Sequence, residues 1–90
     1  MGNEMISETE LERQADLAKA NIEADKFAPG SYGCHEALHT ASLLMEMVSR
    51  HLVEHPTIML DSEFYARARG IHGELFDLYQ AIGAKHLSQD

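Results

Sequence analysis

The sequence has no tryptophan, one cysteine, two prolines, and only seven lysines and arginines against fifteen acids. Each shortage excludes something. A lone cysteine, Cys34, makes no disulfide within the chain, so no disulfide framework carries the fold. A net charge of -8 with histidines neutral excludes a sequence-independent grip on nucleic acid, which needs clustered bases. The same charge argues against an anionic membrane surface. No apolar run approaches the roughly 18 residues of a membrane span. The first seven residues have neither a basic start nor a long apolar core, so no signal peptide is expected. A soluble protein of a reducing cytoplasm follows as the expectation.

What is present is helical periodicity. Ninety residues suit one domain, 1–90, and a chain of that size buries only about 60–65% of its unfolded surface. With residues 1–6 frayed, Ser7-Glu8-Thr9-Glu10 reads as a capping box, with Ile6 and Leu11 at the staple positions. The first helix is expected over 7–27, with a thin apolar seam of Leu11, Ala15, Ala18 and Ile22. That seam buries little, so this is the least stable element. Ala28-Pro29-Gly30 ends it and opens a loop over 28–33.

The second helix is expected over 34–54, with the seam Cys34, Leu38, Ala41, Met45, Val48 and Leu52 in steps of four and three. A connection over 55–61 contains Pro56 and ends on Asp61, an N-cap residue for a third helix over 62–86. Residues 87–90 form a tail. The third helix shows the seam Phe64, Ala68, Ile71, Leu75, Leu78 and Ile82, again in four-three steps. It carries two further stripes. One is small: Ala66, Gly70, Gly73, Asp77, Ala81 and Ala84. The other is aromatic, with a polar tip on three of its four members: Tyr65, His72, Phe76 and Tyr79. Matched lengths and a short link predict an antiparallel hairpin of the second and third helices. The fold class is therefore all-α: three helices, the first less stable. The spare stripes and small size predict assembly as a homo-oligomeric bundle.

The stretch Pro29 to His39, PGSYGCHEALH, concentrates the chemistry. His35-Glu36-Ala37-Leu38-His39 matches H-E-x-x-H, in which two histidines one helical turn apart ligate zinc and the glutamate serves as base. A zinc hydrolase on this motif usually sits in a larger domain with a sheet, and no third ligand stands out among Glu63, His72 and Glu74. The match is read as coincidence and the chain as non-enzymatic, with no cofactor and no metal; if any metal binds, His35 and His39 hold it.

A glycine-flanked helix start suggests something else. Free first-turn amides favour an anion, and Gly30 and Gly33 allow close backbone approach. The expected ligand-binding residues are Lys26, Gly30, Ser31, Tyr32, Gly33, His35 and His39, with Tyr32 stacking on a ring.

The run PGSYGCHEALH, together with Leu78-Tyr79-Gln80-Ala81-Ile82-Gly83, resembles small uncharacterised helical proteins of bacteriophages and prophages. The resemblance spans the second and third helices and brings no established activity. It implies a phage-encoded, anti-defence protein acting in a bacterial host cytoplasm. The first expectation for function is a non-enzymatic protein that sequesters a small anionic or nucleotide-derived signal in an oligomer. The alternative is a protein-interaction module that inhibits a host protein through its acidic first helix and exposed apolar stripe. The partners expected are the chain itself and such a ligand or host protein, with no nucleic acid and no membrane.

Overall fold

The structure, a computed structural model, describes residues 7–88, and every regular element in them is helical. In chain order these are α1 (Glu8–Ala20), a 3₁₀ turn (Ala24–Lys26), α2 (Tyr32–Met47), a π-helical extension of α2 (Val48–Val53), α3 (Pro56–Met59) and α4 (Ser62–Leu87). Four α-helices stand where three are expected, because the connection coils into α3. Pro56 opens it at a position where its missing N–H costs nothing, and Nδ1 of His55 accepts from the Thr57 amide at 3.1 Å. No helix among the described residues is long and apolar enough to cross a membrane.

Half of the expected capping box forms. The Ser7 hydroxyl accepts from the Glu10 amide at 3.1 Å, while the Glu10 carboxylate turns to Arg13 and Gln14. Ile6 and the stretch 1–6 lie outside the described residues. The first helix stops at Ala20, short of residue 27, because Asn21 takes the left-handed conformation at φ 55°. Asparagine reaches that region more readily than other side chains, and it closes a helix there. Ile22 is thereby cut off from the seam. All of α1 beyond Glu10 is exposed, and α1 makes no contact with α2, α3 or α4. The radius of gyration, 16.9 Å, reflects this projection; a compact chain of this length has about 12 Å.

The antiparallel hairpin is formed by α2 and α4. The start of α2 meets the end of α4, where His35 faces His86 and a Leu38 methyl lies beside Gly83. On α2, Cys34, Leu38, Ala41, Met45 and Val48 turn away from solvent at the expected spacing. Beyond Val48, Ser49 is half-buried and Val53 is buried, while Leu52 is exposed. The π-helical turn accounts for this, since its wider repeat, with the Glu54 amide bonded to the Ser49 carbonyl at 3.2 Å, moves the seam on by one residue.

The third-helix seam requires a larger correction. The residues of α4 withdrawn from solvent are Tyr65, Ala68, His72, Leu75, Tyr79, Ile82 and His86, an unbroken four-three series, with Gly83 beside Ile82. Phe64, Ile71 and Leu78, expected in the core, are 45%, 50% and 50% exposed. Both seams share Ala68, Leu75 and Ile82. They differ in which neighbour of the shared line meets α2: Tyr65, His72 and Tyr79 of the aromatic stripe do, while Phe76 stays exposed. Tyrosine suits that place because its ring packs while its hydroxyl stays at the edge; the Tyr65 hydroxyl accepts from Arg69 at 3.3 Å. The core is accordingly small, with Ala41, Val53 and Ala68 its only buried members among the described residues.

Candidate functional site

The expected ligand residues gather where the loop meets both ends of the hairpin. Ser31 caps α2, its hydroxyl accepting from the Cys34 amide at 3.1 Å. Gly30 adopts φ 90°, a conformation that favours glycine. Its amide donates to Nδ1 of His86 at 2.9 Å. The His86 ring lies 5.8 Å from that of His35 and tilted by 40° to it, and the His35 ring lies 6.5 Å from that of Tyr32, tilted by 32°, so three rings follow one another at the corner.

Two shallow recesses flank this line. One is lined by Tyr32, His35, Glu36, His39 and Thr40. The other is lined by Lys26, Phe27, Ser31, Tyr32, Gly33 and Glu36. Tyr32 and Glu36 belong to both, and Gly30 to neither. Gly33 has a packing role: a Cβ there would collide with the Phe27 ring and come within 2.5 Å of the Lys26 carbonyl oxygen. The absence of a side chain lets the 3₁₀ turn close against α2.

The electrostatics do not favour an anion strongly. The Lys26 ammonium sits 3.2 Å from the Glu23 carboxylate, and Glu36 adds an acid to both recesses. The amides of Gly30, Ser31, Cys34 and His35 are engaged, by His86, the Ala28 carbonyl, the Ser31 hydroxyl and the Ser31 carbonyl, which leaves those of Tyr32 and Gly33 at the start of α2 without an acceptor among the described residues. His35 and His39 are exposed and one turn apart, and Cys34 is half-buried on the seam. Among the described residues no three His, Cys, Asp or Glu side chains group in a way that would hold a metal ion.

No family model matches the chain, nor does any curated protein or solved structure. The site therefore rests on its own geometry. His86 is the member that the sequence does not reveal. Its place at the corner depends on the pairing register of α2 and α4, which no local motif encodes.

Among bases, Arg13, Lys26, Arg50 and Arg67 each pair with a glutamate on their own element or next to it, and Arg69 bonds Tyr65 and lies over its ring. The surface is richer in unmatched apolar area than in free cations. Leu11 and Leu17 on α1, Leu44 on α2 and Phe64, Ile71 and Leu78 on α4 are all exposed.

Proposed function

We propose that this chain is a non-enzymatic protein-binding module that acts as a homo-oligomer and offers α1 to a partner protein. The observation that carries this is the isolation of α1. Thirteen helical residues with no tertiary contact are marginal in water, and they gain lasting support only by docking. The residues define the partner's chemistry. Leu11, Ala15 and Ala18 form a narrow apolar line, and Glu8, Glu12 and Asp16 run beside it. An apolar groove bordered by lysine or arginine fits such a helix. The resemblance to small phage and prophage proteins supports a bacterial host protein as that partner, bound in the host cytoplasm.

The test is capture from bacterial lysate, compared between the natural chain and Leu11→Ser/Ala15→Ser. A stoichiometric partner kept by the first and lost by the second, with binding weakened by salt, is the expected result. Capture that survives the double substitution would move the docking surface off α1.

A small anionic or nucleotide-derived ligand at the loop corner is the second reading. It is favoured by the neighbouring Tyr32, His35 and His86 rings, any one of which offers a face to a base. The paired Lys26 and the Glu36 carboxylate in both recesses rank it below protein binding. Calorimetry with cyclic dinucleotides tests it, and absence of heat removes it.

A further inference from the structure

The outer face of α4 carries a pattern that is its own complement. Phe64, Ile71 and Leu78 are spaced seven apart, so Ile71 is the midpoint of the stripe. Arg67 and Glu74 flank that midpoint at four residues before and three after. Gly70 adjoins it, and nothing lies within 4 Å of where a Gly70 Cβ would stand. Arg67, Gly70, Ile71, Glu74, Leu75 and Leu78 line one open groove. On α2, Leu44 holds the equivalent flanking position and is 45% exposed. Flanking positions of antiparallel helices fall on the same side of the pair, so the hairpin has one apolar side shared by both helices. A helix with apolar residues on its seam and on one flank is built for two long neighbours, and α4 has one, α2 with its extension, besides the short α3.

We propose that this face binds a second copy of the chain about a two-fold axis through Ile71, the two α4 helices crossing antiparallel. The proposal rests on the homo-oligomer reading and specifies its interface. The axis sets Ile71 against the partner's Ile71 and Phe64 against the partner's Leu78. It also brings Arg67 within one residue of the partner's Glu74; that pair and the Phe64–Leu78 pair each occur twice, with the Ile71 pair on the axis, as an isologous interface requires. Gly70 lets the two backbones approach at the crossing. Arg67 already reaches Glu63 at 2.9 Å within its own chain, so the new pair extends an existing charge row. The chain exposes 7216 Å², against roughly 5,300 Å² for a compact protein of its mass, so surface that a closed fold would bury is left open on α1 and the hairpin together.

Two measurements on the full chain test this. Light scattering at micromolar concentration should give twice the 10.1 kDa chain mass, and Ile71→Glu should raise the dissociation constant about a hundredfold while helicity by circular dichroism stays unchanged. In a Cys34→Ser background, mild oxidation should cross-link Ile71→Cys to itself. Phe64→Cys and Leu78→Cys should each stay single alone and cross-link when mixed. A monomer mass for the natural chain overturns both the interface and the homo-oligomer reading. An oligomer that ignores Ile71→Glu and gives no cross-link at position 71 overturns the interface alone.

Discussion

The Gly30 amide donates to Nδ1 of His86 at 2.9 Å, joining residues 56 apart in sequence. The bond fixes the loop against the end of α4 and requires a lone pair on Nδ1, so the imidazole carries its proton on Nε2. His86→Phe keeps a ring beside His35 and removes the acceptor. It should cost about 1 kcal/mol in urea unfolding. Hydrogen exchange at the Gly30 amide should quicken at the same time. Unchanged exchange there would show that the bond does not hold the loop.

Two glycines should respond oppositely to the same substitution. Gly33→Ala drives a methyl into the Phe27 ring and the Lys26 carbonyl, and should destabilise the chain by about 1–3 kcal/mol. Gly73→Ala meets nothing within 4 Å on a helix face turned away from Ile71, and should stabilise by about 1 kcal/mol through helix propensity alone. Thermal melts of the two variants check this, and a melting temperature lowered by Gly73→Ala would reveal an unseen neighbour at that face.

The all-helical class and the hairpin were legible because the apolar spacing alternates four and three over long stretches on both helices. The choice of seam on α4 was not. Ala68, Leu75 and Ile82 fit either pattern, and hydrophobicity selects Phe64, Ile71 and Leu78 over Tyr65, His72 and Tyr79. The structure turns the more polar set inward, where rings pack and polar tips reach the edge, and leaves the more apolar set outside. The shift from Leu52 to Val53 was equally hidden, because a π-turn adds a residue without changing the local composition. At the loop corner, the capping by Ser31 and the need for glycine at position 30 follow from local chemistry. The part played by His86 does not.

Acid should loosen α1 at a particular carboxylate. Hydrogen bonds from Arg13 and then Gln14 hold the Glu10 carboxyl down from 4.5 to about 2. Its folded value is depressed, so the support it gives α1 is complete above pH 4.5 and disappears as the pH falls through about 2. An NMR titration should show the Glu10 carboxyl turning over near the lower value, and Glu10→Gln should remove that step from the α1 amide shifts. The site is open to solvent, so salt should move the midpoint upward. A midpoint near 4.5 in low salt would mean that the Arg13 and Gln14 bonds are not populated.

The closeness of α2 and α4 depends on alanines. Ala41 and Ala68 are 5% and 3% exposed, the least exposed of the three buried residues, and their size sets how near the two helices come. A larger side chain at either position has to push the helices apart or leave its preferred rotamer. Ala68→Leu should therefore destabilise the hairpin by about 1–3 kcal/mol, despite adding apolar area. Ala66→Leu, two residues away on an exposed part of α4, is the control and should change stability by less than about 0.5 kcal/mol. Urea midpoints of the pair check that contact. If Ala68 is tolerant and Ala66 is not, α4 turns a different face to α2, the small-residue side of Ala66 and Gly73, since Ala66 lies across the helix from Phe64. Ala68 is common to both seams, so its intolerance places the alanine line at the contact, and the exposure of Phe64, Ile71 and Leu78 is what separates one seam from the other.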